Sequence, residues 1–167
     1  MLARMAALDD PLLDDLRPPN AAEVARGVCR LLYRQGYASQ CEVPLGNGRR
    51  ADVIGLDEGG RITLVEIKVS MADLRGDAKW PEYLDYCDRY FWAVPDEFAL
   101  EVFEEPHFMP GRAGLIVADR FDAAVVREAA VTPLNAARRK AETLRFARRA
   151  AQRLLWISDP NLHAAQA

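Results

Sequence analysis

Ala51-Asp52-Val53-Ile54-Gly55-Leu56-Asp57-Glu58-Gly59-Gly60-Arg61-Ile62-Thr63-Leu64-Val65-Glu66-Ile67-Lys68-Val69 is the stretch that decides the fold. Two apolar runs flank an Asp-Glu-Gly-Gly turn, and the second is rich in β-branched residues and ends at Ser70. That pattern predicts two strands joined by a hairpin, the second of them buried. Strand side chains alternate faces, so Glu66 and Lys68 project from one side of the second strand. A carboxylate and an ammonium inside such a run cost several kcal/mol unless paired, hydrated or bound to a metal. The pattern predicts a wet, charged cleft cut into a sheet. Asp52 and Glu66 are suited to a hard divalent cation, with Lys68 beside them to position an attacking water. This is the chemistry of a metal-dependent phosphodiesterase.

Outward from this stretch, Asn20 is a good N-cap, and Glu23 three residues later completes a capping-box spacing. The helix expected from Ala21 to Gln35 carries Val24, Val28, Leu31 and Leu32 on one face and stops at Gly36. A strand over Ser39–Leu45, the turn Gly46-Asn47-Gly48 and a strand over Arg49–Leu56 follow, then the strand Arg61–Val69. Ser70 and Asp73 cap a short helical turn, and Pro81 opens another helix reaching Asp88. Tyr90–Val94 reads as a buried strand. Pro95–Glu105 reads as a short helix plus loop, and His107–Gly111 as a surface loop. Leu115–Ala118 and Ala123–Glu128 form two more strands. A long helix runs from Pro133 to Trp156, with Leu144, Leu154, Leu155 and Trp156 as expected anchors. The order α-β-β-β-α-β predicts a mixed α/β sheet flanked by helices, with additional C-terminal strands and a long basic helix.

The 167 residues suit one domain. It is expected over residues 20–160, after a lead-in over 1–19 and before a tail over 161–167. No stretch approaches the roughly 20 apolar residues that span a bilayer, and the N-terminus is too acidic for a signal peptide. No membrane association is expected. Three scattered cysteines without a C-x-x-C pair favour neither disulfides nor zinc, and two distant histidines argue against histidine catalysis. A reduced, cytoplasmic protein fits best. The net charge of −3 does not advertise a nucleic-acid binder. From Leu134 to Ile157, however, seven basic residues face one acid, Glu142. Arg138, Arg139, Lys140, Arg148 and Arg149 in this run form either a solvated helix face or a track for a phosphate backbone.

Asp52 followed, after a hairpin, by Glu66-Ile67-Lys68 resembles the motif of the PD-(D/E)xK nucleases, the restriction-endonuclease-like superfamily. The naming proline is replaced by Ala51. The resemblance covers about residues 20–94. It implies Mg²⁺ or Mn²⁺ held by Asp52, Glu66 and the Ile67 carbonyl, with Lys68 acting on water and phosphate. It also implies an acid on the first helix, which Glu23 matches. A narrower set, Glu66-Ile67-Lys68-Val69-Ser70, Asp73, Asp77, Lys79-Trp80, Tyr83, Tyr86-Cys87-Asp88 and Phe91-Trp92-Ala93-Val94-Pro95, is similar to MmcB-type bacterial DNA repair proteins. That similarity implies a role in DNA repair. Lys79 and Tyr83 fall near a Gln-x-x-x-Tyr element that helps hold DNA in some relatives, with lysine here in place of glutamine. Arg49 and Arg50 flank the active strand and either meet DNA or form a solvated hairpin edge.

The leading expectation is therefore a Mg²⁺-dependent deoxyribonuclease with DNA as partner, alongside other repair proteins and as a monomer or homodimer. The first alternative is a catalytically silent DNA-binding or scaffold protein of the same fold. The second is a protein-interaction or RNA-processing role centred on the basic helix.

Overall fold

The computed structural model describes residues 17–164. The lead-in expected over 1–19 falls largely outside them, as does the tail beyond residue 164. Helix α1 (Ala21–Arg34) is followed by strands β1 (Ala38–Pro44), β2 (Arg50–Leu56) and β3 (Ile62–Ile67). A short helix α2 (Met71–Gly76) and a 3₁₀ helix (Trp80–Tyr86) lead to β4 (Arg89–Val94). Two 3₁₀ turns, Leu100–Glu104 and Pro106–Phe108, connect to β5 (Gly114–Ala118) and β6 (Ala123–Arg127). The long helix α3 (Ala136–Ser158) and the short α4 (Asn161–Ala164) complete the described chain. The strands form one sheet in the order β1-β2-β3-β4-β5-β6. β1–β2–β3 and β5–β6 are antiparallel, while β3, β4 and β5 run parallel. This is the mixed α/β sheet with flanking helices and a long C-terminal helix that the element order predicts.

Each face of the sheet carries its own core. α1 has the expected capping box, Asn20 accepting from Glu23 N and Glu23 accepting from Asn20 N. It lays Val24, Val28, Leu31 and Leu32 against Val53, Val65, Phe91 and Ile116. Gly27 brings α1 so close to the β5–β6 turn that a Cβ there would strike the Asp119 and Asp122 carbonyls. The other face packs Ile54, Leu64, Tyr90 and Trp92 beneath the 3₁₀ helix Trp80–Tyr86 and the start of the Phe146 side of α3. Burying side chains of this size contributes about 1.5–3 kcal/mol each, so the two layers clamp the sheet between them. The hairpin turn uses Gly48 at φ 80°, and Leu45 N donates to Arg49 O at 2.8 Å across it.

Several expectations need correction. The segment at Pro81 is a 3₁₀ helix, because Trp80 and Tyr83 both have to reach the core over a short span. Pro106–Phe108 is a turn that buries Phe108, rather than a surface loop. α3 is not anchored by Leu144, Leu154 and Leu155, which are at least half exposed. Its buried residues are Glu142 and Phe146, and Gln40 Nε2 donates to the Phe146 carbonyl at 2.8 Å. Leu154 and Leu155, in the second half of the helix, face solvent at 68% and 50% exposure. The cysteines are less scattered than their spacing suggests: Cys29 Sγ and Cys41 Sγ lie 3.6 Å apart, as thiols.

Candidate active site

Alternation along β2 and β3 places Asp52, Glu66 and Lys68 on the face occupied by Ile54 and Leu64. Trp92 of β4 stands opposite Glu66 in the register. The aromatic cluster Trp80, Tyr90 and Trp92, with ring centroids 5.1–5.3 Å apart, packs into the core of the same face. The carboxylates brace each other's backbone. Asp52 N donates to Glu66 Oε1 at 3.2 Å, and Ile67 N donates to Asp52 Oδ2 at 2.8 Å. Asp52 Oδ1 and Glu66 Oε2 are left without a protein partner among the described residues, and neither is sealed from solvent. Burial raises both carboxyls above their ordinary values. Glu66, which also feels the Asp52 charge, is pushed up to about 9.

Lys68 Nζ sits 2.9 Å from Asp77 Oδ2 and 3.7 Å from Asp73 Oδ1. Burial works against its ammonium, but the Asp77 hydrogen bond and the charges of Asp77, Asp73 and Glu66 outweigh it and raise its pKa. Asp77 follows the end of α2, whose first turn is capped by Ser70 accepting from Asp73 N. Tyr83 is buried beside the cleft and donates its hydroxyl to Arg50 O at 3.2 Å. Burial and then the Glu66, Asp77 and Asp52 charges hold that hydroxyl in its neutral form. Tyr83 is therefore a wall of the site, and Tyr86 is buried core.

Among the described residues no three His, Cys, Asp or Glu side chains are grouped to cage a metal. Two carboxylates with free oxygens do fit Mg²⁺, which keeps several waters and takes one or two carboxylates. The Ile67 carbonyl lies on the same strand end. A cation there would also relieve the repulsion that raises Glu66.

The remaining predicted residues divide. Glu23 belongs to the helix cap. Arg17 is 2.7 Å from its Oε1, and that hydrogen bond, with Asn20 N, holds it down to about 2. Its partners Arg17, Arg120 and Asn20 are none of them members of the Asp52–Glu66–Lys68 group. Arg49 is paired with Glu82 at 2.9 Å and Arg50 with Glu42, both at the rim of the cleft. Lys79 is exposed at the start of the 3₁₀ helix. Arg138 lies 4.4 Å over the Tyr86 ring. Arg139 forms a two-pronged ion pair with buried Asp88 at 2.6 and 2.8 Å, unlike its neighbours on the basic track. Lys140 and Arg148 are exposed, and Arg149 leans on the Glu42 carbonyl. Asp77 carries no periodic signal in the sequence, being nine residues from Lys68, and only the fold brings its carboxylate to the ammonium. Arg145, one helical turn before Arg148, pairs with buried Glu142 at 3.2 Å.

The family model described as DNA repair protein MmcB-like matches residues 8–161. A solved structure, the SPO1766 protein of unknown function from Silicibacter pomeroyi, is 44% identical. The match covers 88% of this chain and 95% of that one, with a TM-score of 0.77. A repair endonuclease from Pyrococcus abyssi is 22% identical over 53% of this chain and 44% of its own. Its TM-score of 0.36 is too low to support a functional comparison. No curated protein matches. No helix among the described residues is long and apolar enough to cross a membrane.

Proposed function

The chain belongs to the DNA repair protein MmcB-like family, and from that premise we propose that it is a metal-dependent deoxyribonuclease. The observation that carries the reading is the pair of half-buried Asp52 and buried Glu66, each with one oxygen free, next to the held ammonium of Lys68. Two neighbouring carboxylates drawn partly out of water are costly to ionise together unless a cation completes them. A divalent cation bound there supplies Lewis-acid polarisation of a phosphodiester and lowers the pKa of water. Asp52 and Glu66 hold the charge that retains it. Lys68, fixed by Asp77, presents N–H donors to the attacking water and to the developing charge on the phosphate. Tyr83 excludes bulk water from one side.

The test is incubation of wild type and Asp52→Ala with labelled single-stranded, duplex, flap and nicked DNA, in Mg²⁺, Mn²⁺ or EDTA. Cleavage that needs the cation and disappears with Asp52 is expected. DNA binding without cutting under every metal would replace the nuclease with a scaffold of the same fold.

Asp77 is a positioning residue in this scheme. Asp77→Asn is expected to lower turnover by about 10–100-fold, as loss of an outer-shell orienting partner does, with metal affinity little changed. Because the Asp77 carboxylate helps hold the Lys68 proton, the alkaline limb of the kcat–pH profile should move to lower pH. A fall in turnover with the limb unmoved would give Asp77 a merely structural role.

A further inference from the structure

We propose that the groove between α3 and the end of β1 is a phosphate-binding site for one nucleic-acid backbone or terminal phosphate, seated beside the catalytic cleft. The inference rests on the nuclease reading for its purpose but not for its chemistry. The groove has a volume of about 390 Å³ and is lined by Arg145, Arg148, Arg149 and Gln152 over Pro44 and Leu144. No acid lines it. The nearest carboxylates are already engaged, Glu142 by Arg145 at 3.2 Å and Glu42 by Arg50. Arg148 is exposed and has no partner among the described residues. Arg149 reaches only the Glu42 carbonyl, at 3.4 Å, and its Nε is buried without an acceptor. A buried guanidinium N–H with nothing to bond calls for an explanation. Guanidiniums present planar forks that match phosphate oxygens in pairs, and Gln152 adds an amide donor. The apolar floor of Pro44 and Leu144 suits a sugar.

Position gives the groove its use. Pro44 pairs with Arg50, two residues before Asp52 on β2. At strand dimensions this separates the groove floor from Asp52 by roughly 8 Å. α3 and the cleft also share one face of the sheet, where Phe146 packs with Ile54 and Leu64. A strand whose phosphate sits among Arg145, Arg148 and Arg149 is therefore led toward Asp52 and Glu66. This narrows the basic track of α3 from a whole helix to its groove-facing arginines. Arg139 is excluded by its bond to Asp88, and Arg138 is held over the Tyr86 ring and does not line the groove.

The experiment is DNA binding by the full chain in EDTA, followed by fluorescence anisotropy across a salt series, for wild type and Arg148→Ala/Arg149→Ala. Arg145 is left intact because it neutralises buried Glu142. Alanine preserves the helix, and a melting temperature close to wild type verifies the fold. The double variant is expected to bind about 10–100-fold more weakly, the loss of one or two charge-assisted contacts. The slope of log K against log salt should fall by about one. Oligonucleotides carrying a single methylphosphonate, or lacking the 5′-phosphate, locate the phosphate and tell an internal from a terminal one. The sensitive position should weaken wild type and leave the double variant unaffected. Unchanged affinity and slope overturn the proposal, as does a loss that no single phosphate position reproduces. A wild type that binds through the groove but never cuts removes the nuclease and leaves the groove. One that cuts while the double variant binds normally removes the groove and leaves the nuclease.

Discussion

Glu66→Gln is expected to abolish metal-dependent cleavage and yet melt at a higher temperature than wild type at pH 8 in EDTA. The catalytic loss should be on the order of 10³-fold or more, since several kcal/mol of charge stabilisation go with the cation. The gain in stability follows from where the proton sits. Burial, and then Asp52, push Glu66 up to about 9 from its ordinary value of 4.5. Between those values the folded chain keeps a proton that the unfolded chain has released. Wild-type stability without metal therefore falls as pH rises from about 4.5 toward about 9, and levels off above. Glutamine keeps the acceptor for Asp52 N and has no charge to bury, so that slope disappears. At pH 8 the difference should be on the order of 1–3 kcal/mol, or several degrees for a chain of this size. Mg²⁺ at about a hundred times its Kd should stabilise wild type by ~2.7 kcal/mol and leave the glutamine variant unmoved. Calorimetry in EDTA and in Mg²⁺ checks both. A variant that melts several degrees lower in EDTA would make the pair a structural device.

Arg139→Ala is expected to destabilise the fold by about 3–5 kcal/mol, the cost of stranding a buried charge. Asp88 is 2% exposed and collects four donors. These are Ile62 N at 2.8 Å, Leu134 N at 2.9 Å and two Arg139 nitrogens at 2.8 and 2.6 Å. Arg139 also donates to the Gly60 carbonyl at 2.7 Å. One ion pair thus ties the β2–β3 turn, the start of β4 and the N-terminal end of α3. Burial alone would raise the Asp88 carboxyl, but Arg139 and the two backbone N–H groups overcome it and hold it below its ordinary 3.8. Its contribution is present above that value and is lost as pH falls through the lower folded value. Denaturant unfolding at pH 7 and pH 3 reads both effects. Unchanged stability together with weakened DNA binding would return Arg139 to the phosphate track.

These two residues mark the limits of what the chain discloses by itself. Glu66 was legible because alternation is a local rule. An acid and a base two apart in a β-branched run must share a face, and Asp52 across a hairpin must meet them. The capping box of α1 is local in the same way. Arg139 read as one more charge on a basic helix because its partner is 51 residues away. Asp77 is nearer to Lys68, yet only the path of α2 turns its carboxylate inward. Leu154 and Leu155 looked like anchors because hydrophobic spacing says that a face is apolar, and does not say whether anything covers it.

The sequence by itself determined the α-β-β-β-α-β succession and the Asp52, Glu66 and Lys68 triad, because periodicity, turns and caps act between neighbours. The tertiary structure decided which charges were already spent. Glu23 went to a cap and Arg139 to Asp88, while Lys68 was anchored by Asp77 with donors to spare and Arg148 and Arg149 were left facing a groove. An ion pair is fixed by distance in space, and chain separation carries no information about it until the sheet brings the partners together.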